Sequence, residues 1–223
     1  MSPTTIRLAP AALALLLAVP ACRVSGSVGN GVQGDGVLKT EMRDVTDFAE
    51  ISVDGTVKLD LVTGPLDKLT ITGDENLLPL VATEVVGGRL TIHQTKSMHS
   101  KTPLVVSIHA PAVARIDTAG LANVIASGLT GPTFTFTSNG VTDSQLSGQV
   151  SSLEIDSSGT GVVRAAGLTA KQARVTVSGA GSVEVNATDQ LKANVSGVGS
   201  VKYRGTPAIE KNVSGVGTVA PLG

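Results

Sequence analysis

Hydrophobic positions in the second half of the chain are phased around a glycine that returns six times, at Gly120, Gly140, Gly159, Gly179, Gly197 and Gly215. Four residues before it stand Ile116, Phe136, Ile155, Val175, Ala193 and Lys211, and four after it stand Val124, Ser144, Val163, Val183, Val201 and Val219. Six before it run Ala114, Phe134, Leu153, Ala173, Leu191 and Ile209. Apolar residues therefore alternate with polar ones around the glycine, which predicts short strands with one buried face in every copy. A second small residue follows eight positions later, at Gly128, Gly148, Gly167, Ala187 and Gly205. Each copy thus has two fixed corners, where glycine tolerates a positive φ or a close backbone approach.

Copies spaced 20, 19, 20, 18 and 18 residues apart are too short for paired helices and suit one turn of a β-coil. A unit of this size cannot bury its apolar face alone, whereas stacked copies share one core and pair their backbones along the stack. The expected fold is all-β, a right-handed parallel β-helix whose rungs of 18–20 residues occupy residues 112–220. Six rungs at ~4.8 Å each make a stack about 29 Å long. Lys211, in the inward column, and Pro221, which lacks an N–H, are expected to cap the last rung against further strand addition.

Upstream the alternation is less regular. Ile51 and Val53, then Val57, Leu59 and Leu61, flank the turn Asp54-Gly55, and the pairs Leu69 with Ile71, Leu90 with Ile92 and Val106 with Ile108 continue the pattern. Residues 77–86 have room for a helical turn, yet Pro79 and the β-branched residues favour strand or loop. Residues 41–111 are read as irregular N-terminal β coils that cap the solenoid, so that 41–220 form a single domain.

Residues 1–21 read as a signal peptide, with Arg7, an apolar run over 11–19 too short to span a bilayer, and small residues up to Ala21. Cys22 is the only cysteine, which excludes an internal disulfide. Its place directly after Ala21 resembles the lipobox of bacterial lipoproteins. That resemblance implies a diacylated thiol at Cys22, attachment to a membrane through the lipid, and a bacterial cell-envelope location, on the outer membrane or facing the periplasm in a cell with two membranes. Several acyl chains on one residue make attachment stable, at about 0.8 kcal/mol per buried methylene. Residues 22–40, with five glycines between Gly26 and Gly36, are read as the tether that follows the lipid. Removing Arg7 from the 17 basic residues leaves 16 against 18 acidic ones, a net charge of −2 that gives no reason to expect a nucleic-acid partner.

Residues 43–53 (RDVTDFAEISV), 57–59 (VKL) and 70–75 (TITGDE) resemble the opening of the bacterial GIN-domain family of auto-transporter-adhesin heads. The later SGAGSV at 178–183 and SGVGSV at 196–201 are similar to that family's second half. The resemblance spans about residues 37–219 and implies a β-helical envelope protein with an adhesive role. It brings no catalytic residues with it.

Chemistry is sparse. His93, His99 and His109 lack zinc-site spacing and cysteine companions, and His93 falls on the outward phase of its strand, so all three are read as surface residues. Asp54, Asp60, Asp67, Asp74 and Glu75 form no compact calcium motif and are read mainly as solvated turn residues. No cofactor or metal is expected. Three functional classes fit the chain. The first is a non-catalytic, lipid-anchored module binding an envelope polysaccharide or a surface protein. The second is a structural β-helix that assembles end to end. The third is a polysaccharide-acting enzyme, which the absence of tryptophan, the single Tyr203 and the lack of paired acids disfavour.

Overall fold

The alternation read from the chain organises the computed structural model of the protein, which describes residues 31–223. The segment read as a signal peptide, residues 1–21, and Cys22 lie outside the described residues. In chain order the first half carries β1 (Val32–Gln33), β2 (Leu38–Arg43), β3 (Glu50–Thr63), β4 (Leu69–Asp74), a 3-10 turn (Leu78–Leu80) with Pro79 in it, β5 (Val81–Val86), β6 (Arg89–Gln94), β7 (Met98–His99) and β8 (Val105–Ala110). The second half carries β9 (Arg115–Ser138), β10 (Val141–Ser157), β11 (Thr160–Val177), β12 (Ala180–Val195), β13 (Val198–Arg204), β14 (Ala208–Val213) and β15 (Val216–Pro221).

Strands β9 to β15 pair in parallel as the rungs of a right-handed β-helix. Val124, Ser144, Val163, Val183, Val201 and Val219 stack as register partners, and so do Phe136, Ile155, Val175, Ala193 and Lys211. The columns deduced from glycine spacing are thus the physical ladders. Their glycines are needed mainly for proximity. Of the six, only Gly120 has a positive φ, +84°. A Cβ on Gly140, Gly159, Gly179, Gly197 or Gly215 would instead overlap the carbonyl oxygen of the corner glycine one rung back. Stacking at strand spacing leaves no room there for a methyl group.

The N-terminal coils contain a rung that the glycine count passes over. In β3, Gly55 pairs with Gly120, Ile51 with Ile116 and Leu59 with Val124. Residues −4 and +4 from Gly55 therefore match the repeat, 65 positions upstream of its next copy. The other edge of β3 pairs with β6 through Ile51 and Leu90, and with β8 through Leu59 and Val106. Together β6 and β8 make one more rung, interrupted at its corner by residues 95–104. The chain lays down β3 first, travels past it to build the interrupted rung, then returns to its opposite edge with β9. An outer ion-pair network ties this junction: Arg89 of β6 bonds Glu50 of β3 at 2.6 Å and Asp117 of β9 at 3.1 Å, and Arg115 bonds Asp117 at 2.8 Å.

The N-terminal end is closed by antiparallel strands, β5 on β6, β4 on β8 and β2 on β4. Here the tether expected over 22–40 needs correction, because residues 31–40 belong to the fold. Strand β1 pairs with β7, and β2 begins at Leu38. The glycines that suggested flexibility serve close approach instead. A Cβ on Gly31 would sit 2.5 Å from the His99 ring, and one on Gly34 would overlap the Asp74 carboxylate. At the C-terminal end Lys211 does occupy the inward column opposite Ala193, but among the described residues no strand pairs with the far edge of β14, and Lys211 is exposed.

Candidate functional site

The interrupted rung creates a recess in the surface. Where other rungs turn within two or three residues, 95–104 form a loop between Gln94 and Val105. Four backbone bonds hold it: Thr95 N–H to the Leu80 carbonyl (2.9 Å), Val32 N–H to the Ser97 carbonyl (2.9 Å), Gly34 N–H to the His99 carbonyl (2.8 Å) and Lys58 N–H to the Leu104 carbonyl (2.8 Å). The Thr102 N–H donates to Ser100 Oγ at 2.9 Å and tightens the turn. Behind the loop lies a recess of ≈450 Å³, whose wall includes Asp74, Gln94, Met98, Ser100, Pro103 and Leu104.

Asp74 is the chemical centre of this recess. It follows Gly73 on the outward phase of β4, yet it is only 3% exposed because residues 31–36 and the loop close over it. Oδ2 accepts a 2.6 Å hydrogen bond from Ser100 Oγ, while Oδ1 is buried with no partner among the described residues. No cation pairs with this carboxylate among the described residues. A buried carboxylate oxygen without a donor costs several kcal/mol. A second recess of ≈530 Å³, bounded by Gln33, Asp35 and Lys101, lies on the other side of Asp74.

A shallow groove of ≈630 Å³ starts at Thr56, which is also part of the recess wall, and runs along the corner past Gly120, Gly140 and Gly159. Gln94 joins the two features, its Nε2 donating to the Thr56 carbonyl at 3.3 Å. One side of the corner carries exposed Asn139, Ser158, Ser178, Ser196 and Ser214. The other carries Leu121, Val141, Thr160, Ala180, Val198 and Val216, register partners that continue from Thr56. Val216 is 75% exposed and Val198 62%. Backbone groups along the glycine ridge are already bonded rung to rung, as Thr160 N–H is to the Gly140 carbonyl (2.9 Å) and Val198 N–H to that of Gly179 (3.0 Å).

Of the residues considered from the sequence, His99 and His109 are exposed as expected. His93 is half-buried, against the surface reading, and its Nδ1 is shielded without a partner because β5 packs alongside. Asp54 and Asp67 are exposed, Asp60 pairs with Lys58 at 3.0 Å, and Glu75 pairs with Lys39. Asp74 departs from the solvated-turn reading, and neither Gln94 nor Ser100 carries any motif. Among the described residues, no group of three or more His, Cys, Asp or Glu side chains could hold a metal ion.

At the outer junction, burial opposes ionisation of Asp117. Hydrogen bonds from Arg115 and Thr137 and the charges of Arg115 and Arg89 outweigh it and hold the carboxyl below its ordinary range.

Residues 47–207 match the family described as "Putative auto-transporter adhesin, head GIN domain", and the chain belongs to it. Among solved structures it is similar to a putative adhesin from Bacteroides fragilis, with 24% identity over 86% of this chain and 100% of that one and a TM-score of 0.68. A putative adhesin from Parabacteroides merdae is 25% identical over 86% and 99% of the two chains, with a TM-score of 0.54. A putative lipid binding protein from Parabacteroides distasonis shares the fold at 21% identity, the same coverages and a TM-score of 0.53. No curated protein matches the chain.

Proposed function

We propose that the protein is a non-catalytic, lipid-anchored module of the bacterial cell envelope that binds an envelope polysaccharide or a neighbouring surface protein through the side of its solenoid. Membership of the adhesin-head family supports adhesion as the role. The observation that carries the reading is the corner of the β-helix, where exposed Leu121 and Val141 on two neighbouring rungs, and Val198 and Val216 on two others, with Thr160 and Ala180 between them, run beside a polar ladder. Apolar side chains left exposed in pairs on neighbouring rungs suit recognition better than solvation. Cys22 supplies the membrane attachment, and the antiparallel cap at one end with Lys211 at the other favours a discrete module over an end-to-end polymer.

The test is retention of the full chain, carrying Cys22→Ser to remove the lipid, on intact cells and on purified envelope polysaccharide. Saturable binding to either supports the reading. Absence of binding to both, or turnover of the polysaccharide, overturns it.

A further inference from the structure

We infer that the recess at Asp74 and the groove along the glycine corner form one continuous saccharide-binding site, with the recess taking a terminal sugar and the groove taking the chain that follows. This rests on the adhesive reading above and gives it a ligand class and a location.

Three features of the recess point to a hydroxylated ligand. Its volume of ≈450 Å³ lies within the range of small-molecule sites and accommodates a sugar ring. Its wall combines apolar Met98, Pro103 and Leu104 with an amide at Gln94, a carboxylate at Asp74 and a hydroxyl at Ser100. Asp74 also keeps one oxygen without a donor in a nearly fully buried position. That oxygen has no free surface in this structure, so a sugar hydroxyl reaches it as the 95–104 loop yields, and supplies that donor. The Ser100 hydroxyl, 2.6 Å from Asp74 Oδ2 and 2.8 Å from the Thr102 carbonyl, has one proton for two acceptors. A second donor at the carboxylate frees that proton for the carbonyl.

The groove selects the kind of chain. Its two sides differ, Asn139 facing Leu121 and Val141 across a ridge without side chains, and beyond the groove the serines continue the polar side. A pyranose has the matching division, with hydroxyls around its rim and C–H groups on its faces. A polypeptide strand is disfavoured because the ridge's N–H and C=O groups are already paired along the stack, leaving no ladder to extend. Rungs repeat at about 4.8 Å, so successive sugars of an extended chain meet successive equivalent surfaces. Without tryptophan, each contact is weak. Affinity therefore rises with chain length.

The experiment uses the full chain with Cys22→Ser, labelled with 15N, and titrates cello-, chito- and mannohexaose and their monosaccharides. At least one hexasaccharide should shift amides in both 98–104 and the corner residues 120–121 and 140–141, and bind more tightly than its monosaccharide. Asp74→Asn, which retains an acceptor for Ser100, should weaken that binding about tenfold, as for loss of one charged hydrogen bond. Gln94→Ala, at a partly exposed side chain, provides a second variant if Asp74→Asn does not fold. Shifts from none of the hexasaccharides, shifts confined elsewhere, or equal affinity in the folded variants would overturn the inference. If the wild type binds cells and the variants bind them equally, this site is wrong while the adhesive role stands. If the wild type binds neither cells nor envelope polysaccharide, the adhesive role itself fails.

Discussion

Replacing Val183 with aspartate tests the stacking of the solenoid interior. Val183 is 1% exposed and lies in register between Val163 and Val201, which are 2% and 0% exposed. Exchanging its methyl groups for a carboxylate forfeits about 1.5–3 kcal/mol of apolar burial. Leaving the charge unpaired between two valines adds about 3–5 kcal/mol. The sum, about 5–8 kcal/mol, is a large share of the 5–15 kcal/mol that about covers the stability of a typical domain. With a urea slope of ~2 kcal/mol/M, the midpoint should fall by about 2 M or more, or folding should be lost altogether. The neighbouring Glu184 faces outward, and Glu184→Ala should stay within about 0.5 kcal/mol of wild type. Urea titrations of both variants followed by far-ultraviolet circular dichroism make the comparison. Equal losses, or a Val183→Asp midpoint near wild type, would refute the inward ladder.

Gly140→Ala should destabilise strongly, since its methyl group meets the Gly120 carbonyl, whereas Gly88→Ala, at φ +78° with open space around it, should cost only about 1–2 kcal/mol of backbone strain; thermal melts separate the two. Because the Asp117 carboxyl is held below its unfolded value, its stabilisation is complete above about pH 4 and is lost as pH falls through the depressed folded value, so Asp117→Asn should flatten the acid limb of a stability–pH curve. Cys22→Ser should release the protein from the membrane fraction, and an unmodified thiol on the mature native chain, found by mass spectrometry, would contradict lipid anchoring. Lys211→Val with Pro221→Val should raise self-association in sedimentation, unless the wild type already forms filaments, in which case the capping role fails.

The rungs from Gly120 onward were legible because nearly all obey the same local rule, glycine at the corner and apolar residues four positions to either side, with Ser144 and Lys211 the exceptions. Gly55 obeys it too, with Ile51 and Leu59, but its next copy comes 65 residues later, and a period broken by an excursion does not register as a period. Glycine was the ambiguous letter at the N-terminus. In residues 31–36 it permits contact with His99 and Asp74, and nothing local distinguishes that use from a flexible tether. Asp74 was hidden for a similar reason. Strand phase places it outward, and what buries it arrives from some 40 residues before and 26 after it along the chain. The site is a product of topology, which brings Gln94, Ser100 and Thr56 together without any motif among them.

That topology, with β3 held between the interrupted rung and β9, is most directly tested by disulfide trapping. In a Cys22→Ser background, Thr56→Cys with Leu121→Cys joins register partners on adjacent strands, whose spacing suits a disulfide. Glu184→Cys with Lys202→Cys does the same within the regular rungs and serves as the control. Under mild oxidation both pairs should form intramolecular bonds detectable by peptide mass spectrometry. A control pair that closes while Thr56→Cys and Leu121→Cys remain free would contradict the out-of-order rung, and with it the continuity of recess and groove.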